Sequence, residues 1–453
     1  MDYLLLNLGK KLKNISYFND KYVGVLGLGL SGNAAANVLV KSNANVFVFD
    51  DKKNKSLVPK KTTWLNYKDW DWEKIDTLFV SPGIPINSTK THEAIKIAKK
   101  NNVNILNEID LFFLTRPSAK IIGVTGTNGK STTVALLNHI LTFNKINSVI
   151  GGNFGLPACE IIDPGKNGVI ILELSSYQLD GASKLSLHAA AIINITPDHI
   201  DYHEDFHNYI KSKLKIISFL NQYSKLIISN DDPFLKKIIN TQEIPKSKLI
   251  KVNRSIGKNF VQNSIYLSGK HNHINAAIAI ALAQTMKLNE EQIKQAINTF
   301  KGLPHRLEQI FFSDKIRIIN DSKATNGEAT AAALSSFKNI FWIAGGRPKS
   351  DGIGKASNCL KNVLKIFLFG ESSEFFSKQI LALNKHIPVI YCETLENATK
   401  LAIHKSQNSE LKHIIILLSP AAASFDQFKN FEERGDHFKK AVNLYSQKGN
   451  LVC

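Results

Sequence analysis

The segment GVTGTNGKST at Gly123–Thr132 constrains this chain more than any other. It lies between an apolar run, AKIIGV, and a helix-forming run, STTVALLNHIL. Gly126 and Gly129 let backbone N–H groups turn toward phosphate oxygens, and the helix start adds its positive dipole end. Lys130 can reach the β- and γ-phosphates of a nucleotide and Ser131 can ligate Mg²⁺, with Thr127, Asn128 and Thr132 completing the loop. The strict G-x-x-x-x-G-K-[ST] pattern needs glycine at position 124, where this chain has Val124. The loop therefore departs from that pattern by one residue while keeping its chemistry.

Around it, short apolar strands alternate with helical stretches in three blocks. The first runs from YVGVLGLG to NVNIL, the second from AKIIGVTG to SKLIISND, and the third from IRIINDS to HIIILLSP. Strands this apolar, separated by helices, predict parallel sheets covered on both faces. The expected fold is α/β with three domains. Residues 1–110 form a Rossmann-like first domain, 111–301 a central P-loop-type ATPase domain, and 302–453 a C-terminal Rossmann-like domain. At 453 residues the chain is too long for one ordinary core.

The net charge of +19 raises nucleic acid as a partner. However, only six of the 57 basic residues are arginine, and the lysines are spread along the chain. That pattern describes solvated lysines with a favourable field for anionic substrates, and nucleic-acid binding is not expected. No apolar run reaches the roughly 18–20 residues needed to span a bilayer. The opening MDYLLLNLGKKLKN lacks a small-residue cleavage site, so a cytoplasmic protein without stable membrane association is expected. Cys159, Cys359, Cys392 and Cys453 are far apart and suit a reducing compartment.

Further motifs sit at strand ends. GLGLSG (27–32) satisfies G-x-G-x-x-G after YVGVL, and Asp50 ends the next strand about 20 residues on. A dinucleotide, a UDP group and a purely structural turn all remain open for it. Glu173 follows GVIIL, and NITPDHIDYH places Asp198 and His199 on the same sheet edge as the phosphate loop. Carboxylate and imidazole there suit Mg²⁺ or Mn²⁺ bridging phosphates. His203 and His207 read as ordinary loop histidines, and Lys213 alone as a solvated lysine. NDSKATN (320–326), GGRPKSD (345–351) and SPAAASFDQFKNFEERG (419–435) share one edge of the third sheet. Capping or turn roles explain each of these singly.

Taken together, GLGLSG, SPGI, GTNGKST, GGNFGLP, LELSSYQL, NITPDHIDYH, LPHRLE, NDSKATN and SPAAASFDQFKNFEERG resemble the Mur ligases of peptidoglycan synthesis, from Val23 to about Phe438. A Rossmann dehydrogenase would leave GTNGKST idle, and a P-loop kinase would leave the third block idle. The resemblance implies an ATP-dependent acid–amino-acid ligase that works through an acyl phosphate. The uridine-type first domain and the SFDQFKNFEERG segment favour the member that adds D-glutamate to UDP-N-acetylmuramoyl-L-alanine.

By position, the resemblance implies catalytic roles for Lys130, Glu173, His199 and Lys213. Gly126, Thr127, Asn128, Gly129, Lys130, Ser131 and Thr132 would bind ATP, with Asn272, Asn275, Arg306, Asp321 and Lys323. Leu30, Ser31, Asp50, Ser81, Pro82, Gly83, Asn153 and His199 would bind the UDP-substrate. Thr325, Lys349, Ser424, Phe425 and Phe431 would bind D-glutamate. Two Mg²⁺ ions, for which Mn²⁺ can substitute, would use Ser131, Glu173, His199 and Lys213, the last as a carbamate. The expected enzyme is a monomer. Asp51-Lys52 replaces an arginine, and Phe425 a leucine, that relatives commonly carry.

Overall fold

Runs of Val, Ile, Leu and Phe bounded by Gly, Asn or Asp become strands, because such side chains fill both faces of a covered sheet. The computed structural model describes residues 15–52, 58–241, 248–262, 264 and 266–447. The opening segment MDYLLLNLGKKLKN (1–14) and Cys453 lie outside the described residues. The first sheet comprises β1 (Tyr22–Leu26), β2 (Asn45–Phe49), β3 (Thr63–Trp64), β4 (Ile75–Val80) and β5 (Asn104–Leu106). Its order is β3-β2-β1-β4-β5, with every pairing parallel. The order reverses between β1 and β4, so the loops leaving these strands diverge and open a crevice.

The second sheet holds β6 (Lys120–Thr125), β7 (Ser148–Gly152), β8 (Val169–Glu173), β9 (Leu187–Ile192), β10 (Leu220–Ser229) and β11 (Leu249–Val252). It is parallel in the order β11-β10-β9-β6-β8-β7. The phosphate loop leaves β6, flanked by β8, which ends in Glu173, and by β9, which leads toward His199.

The third sheet holds β12 (Glu308–Phe312), β13 (Ile316–Asn320), β14 (Ile340–Gly345), β15 (Val363–Phe369), β16 (Val389–Tyr391) and β17 (Ile414–Leu418), in the order β12-β13-β17-β14-β15-β16. Here the expectation of purely parallel sheets needs correction, since β12 pairs antiparallel with β13. The connection spans only residues 313–315, which suffices for a hairpin but not for a crossover. The strands β13, β17 and β14 are neighbours, so the three polar loops that follow them emerge side by side.

The chain groups into two compact units, Met1–Phe260 with Ile274–Ile297, and Val261–His273 with Asn298–Cys453. The first unit contains the first two sheets and the second unit the third. Trp342, buried in β14, donates its indole N–H to the Ser419 carbonyl at 2.8 Å and so ties the loop after β17 to the core. Among the described residues no helix is long and apolar enough to cross a membrane. Cys159 and Cys392 are buried, and no disulfide joins the described cysteines.

Candidate active site

The helix Lys130–Phe143 starts at Gly129, whose φ of +86° lies in the left-handed region that favours glycine. A Cβ at Gly129 would stand 2.1 Å from Oδ1 of Asn275, so only glycine fits there. Asn194 and Thr196, just beyond β9, brace the loop. The Thr127 N–H donates to the Asn194 carbonyl at 3.0 Å, and the Asn128 N–H to Asn194 Oδ1 at 2.9 Å. The Thr127 hydroxyl lies 2.9 Å from the Tyr209 hydroxyl.

Two lysines converge on this loop. Lys130 Nζ donates to the carbonyls of Gly126 and Thr127 at 2.8 and 2.9 Å. Lys213 Nζ, from the helix Phe206–Leu214, donates to the same Gly126 carbonyl at 2.9 Å. The expectation that Lys213 alone would read as solvated is corrected, because its side chain is buried and rests over the Tyr209 ring. Burial first, and the Lys130 charge second, hold its pKa well below the usual lysine range.

Glu173 is buried at the end of β8. Its Oε1 accepts from the Asn153 side-chain amide at 2.7 Å, whereas its Oε2 is buried without a hydrogen-bond partner. A buried carboxylate oxygen in that state is costly unless a cation or donor completes it. This oxygen and the Ser131 hydroxyl on the first helical turn fit a phosphate-bound divalent cation. No three His, Cys, Asp or Glu side chains cluster as a metal cage among the described residues. Mg²⁺ bridging phosphates takes most of its oxygens from nucleotide and water, so few protein ligands are required.

His199 sits in the left-handed region at φ +53°. Its Nδ1 is 2.7 Å from the Tyr177 hydroxyl, and its Nε2 is 3.5 Å from Asp198 Oδ2. Burial lowers its pKa, so the neutral ring able to ligate a metal is favoured. His203 is buried against Ser176 Oγ at 2.9 Å, and burial pushes it down to about 4.

The loops after β1 and β4 meet the second sheet's edge around a cavity of about 540 Å³. Leu30, Ser31, Asp50, Ser81, Pro82, Gly83 and Asn153 all line it, together with Tyr177 and Gln178. His199 is not in the lining but is hydrogen-bonded to Tyr177, which is. Gly32 brings helix and strand together, since a Cβ there would lie 1.9 Å from the Gly27 carbonyl oxygen. Asp50 Oδ2 accepts from the Leu28 N–H at 2.6 Å, which shapes the glycine loop. Asp51 pairs with His92 at 3.2 Å.

In the second unit, Asp321 is buried and accepts from Ser419 Oγ at 3.0 Å and from the Leu307 N–H at 3.3 Å. Burial pushes its carboxyl up to about 7. Lys323 Nζ lies 3.6 Å from the centroid of the Phe431 ring. Thr325 follows on the same loop, its N–H donating to the Lys323 carbonyl at 2.8 Å. Ser424 is buried, while Lys349 and Phe425 are exposed. Asn272 donates to the Ser268 carbonyl at 3.1 Å.

Sequence reasoning passed over Arg434. This arginine is fully buried and binds Ser322 Oγ at 3.0 Å, the Ser322 carbonyl at 2.8 Å and the Ala422 carbonyl at 3.0 Å. It also reaches the Gly345 carbonyl at 3.4 Å, so one guanidinium ties together the loops after β13, β14 and β17. The available signal was scarcity. In a lysine-biased chain with six arginines, an arginine marks a place where fork geometry is needed.

Residues 124–283 match the family model described as Mur ligase middle domain, and residues 305–422 match the Mur ligase, glutamate ligase domain. A parallel sheet carrying this phosphate loop, beside a crevice, fits a nucleotide-driven ligase, and the chain belongs to the Mur ligase family. Among its relatives, the UDP-N-acetylmuramoylalanine–D-glutamate ligase of Mesorhizobium japonicum is 34% identical, over 94% of this chain and 96% of that protein. The protein of the same name from Rickettsia bellii is 35% identical over 93% and 97%. Two Thermotoga maritima structures share the fold. UDP-N-acetylmuramate-alanine ligase MurC has a TM-score of 0.56 at 16% identity, covering 94% of this chain and 99% of that one. MurF ligase in complex with ADP has a TM-score of 0.55 at 13% identity, covering 96% and 97%.

Proposed function

We propose that this chain joins D-glutamate to UDP-N-acetylmuramoyl-L-alanine with ATP, the reaction named by its near-full-length relatives. The observation that carries the reading is the convergence of Lys130 and Lys213 on the Gly126 carbonyl, within electrostatic range of Glu173. It supports a site where phosphate charge and a carboxylate meet. A carboxylate oxygen of the alanyl group attacks the γ-phosphorus, the bond to ADP breaks, and an acyl phosphate results. The amine of D-glutamate then attacks the acyl carbon and loses a proton. The tetrahedral intermediate expels phosphate and leaves the amide.

In this reading Gly126–Thr132 cradle the phosphates, and Lys130 swings from the loop carbonyls to the γ-phosphate. Mg²⁺, with Mn²⁺ as substitute and two ions in all, supplies charge neutralisation between phosphates and carboxylate when bound. Ser131, Glu173 and His199 would hold it. Lys213, whose pKa burial lowers, adds CO₂ to Nζ as the neutral amine and releases a proton, which turns that amine into an anionic oxygen ligand. The cavity lined by Leu30, Ser31, Asp50 and Ser81–Gly83 takes the UDP group, with Asn153 toward the muramoyl end. Asn272, Asn275, Arg306, Asp321 and Lys323 serve the nucleotide. Thr325, Lys349, Ser424, Phe425 and Phe431 serve the two carboxylates and the chain of D-glutamate.

The reading also assigns residues 1–110, 111–301 and 302–453 to three domains, each built on one sheet, in a cytoplasmic monomer that does not bind nucleic acid. Phosphate release tests it. Release should require ATP, Mg²⁺, UDP-N-acetylmuramoyl-L-alanine and D-glutamate together, within a panel of D- and L-amino acids. Release that follows L-alanine, a diamino acid or a dipeptide instead would refute the specificity and leave the family intact.

A further inference from the structure

Behind the UDP cavity lies a carboxylate that the reaction does not use. Glu108 opens the helix Glu108–Leu114 and is fully buried. Its Oε2 accepts from the Ser31 hydroxyl at 2.6 Å and from the Gln178 side-chain amide at 3.1 Å. Its Oε1 accepts from the Ala158 N–H. Ser31 belongs to the glycine loop of the first sheet, whereas Ala158 and Gln178 follow β7 and β8 of the second. Ser31, Gln178 and Pro157, the residue before Ala158, all line the cavity. One buried acceptor therefore holds cavity walls that come from two sheets.

We infer that Glu108 is a positioning residue for the UDP-substrate, holding the Gln178 wall and fixing the Ser31 hydroxyl so that its lone pairs are left to accept from an N–H or O–H of that ligand. A buried carboxylate is expensive and needs a return, and here three donors converge on it. Asn107 extends the same clamp, because its side-chain amide donates to the Gln178 carbonyl at 2.7 Å. With its proton directed at Glu108, the Ser31 hydroxyl is held in one rotamer before substrate arrives. That spares an ordering cost at binding. ATP contacts none of these groups in the proposed function, on which this inference rests, so the effect belongs to the UDP-substrate.

The test uses the full chain and titration calorimetry with UDP-N-acetylmuramoyl-L-alanine and, separately, MgATP. Glu108→Gln keeps the shape and removes the charged acceptor. The expected result is about 10-fold or more weaker binding of the UDP-substrate, as for loss of a charged hydrogen bond, with MgATP binding within twofold. Ser31→Ala should weaken the same ligand, and the double variant should be no weaker than the worse single one, because Glu108 acts through Ser31. If Glu108→Gln does not fold, Glu108→Asp carries the comparison, since it keeps the charge and withdraws it by one methylene. Unchanged UDP-substrate binding, parallel weakening of MgATP, or fully additive variants would overturn the inference. Wild-type chain that fails to bind the UDP-substrate would instead sink the proposed function.

Discussion

Asp321 gives the most quantitative prediction. Its carboxyl is buried at the end of β13 in the third sheet, and its pKa is pushed from 3.8 to about 7. Burial is the cause, opposed by the hydrogen bonds from Ser419 and Leu307 and by the charge of Arg306. The folded carboxyl keeps its proton up to about pH 7, whereas the unfolded one releases it near 3.8. Between those values the folded chain binds more protons, so this contribution to stability is complete below about pH 4 and is lost as pH rises through 7. A shift of about three units corresponds to about 4 kcal/mol. Asp321→Asn keeps the side-chain shape and removes the titration. Urea unfolding from pH 4.5 to 8, followed by tryptophan fluorescence, should show the wild type losing several kcal/mol relative to the variant. Trp342 is a built-in reporter, hydrogen-bonded to the same Ser419 that donates to Asp321. Parallel stability curves for the two proteins across that range would refute the reasoning.

Three further outcomes are expected. Lys130→Ala should lower substrate-dependent phosphate release by about 100- to 1000-fold, with an unchanged melting temperature, as for removal of one preorganised donor. Lys213→Ala should abolish turnover, and formate or acetate should restore part of it if the missing group is a carbamate. No rescue by any short carboxylate would count against the carbamate. Arg434→Lys should cost about 3 kcal/mol in unfolding experiments and raise KM for D-glutamate while leaving KM for the UDP-substrate in place, because lysine cannot bridge three loops.

The phosphate loop was legible because its chemistry is local. Glycines, Lys130 and Ser131 stand between an apolar run and a helix, and nothing distant is needed to read them. The strand-end position of Glu173 was legible for the same reason, whereas His199 stands seven residues beyond β9, at the start of a short helix. The antiparallel β12 was not, since LEQIFF alternates too weakly to stand apart from the residues before it. Glu108 and Arg434 escaped because their meaning lies in partners far along the chain. Ser31 and Glu108 are 77 positions apart, and Arg434 is 112 from Ser322. Lys213 was legible only through family resemblance, because one lysine among 57 basic residues does not reveal that it is buried.

The central claim is that a carboxylate of the UDP-substrate is phosphorylated before the amide forms. The most direct test supplies UDP-N-acetylmuramoyl-L-alanine labelled with ¹⁸O in its alanyl carboxylate, together with MgATP and D-glutamate, and weighs the released phosphate. Transfer through an acyl phosphate predicts one ¹⁸O in each phosphate formed. Phosphate free of label, alongside normal amide product, would contradict it.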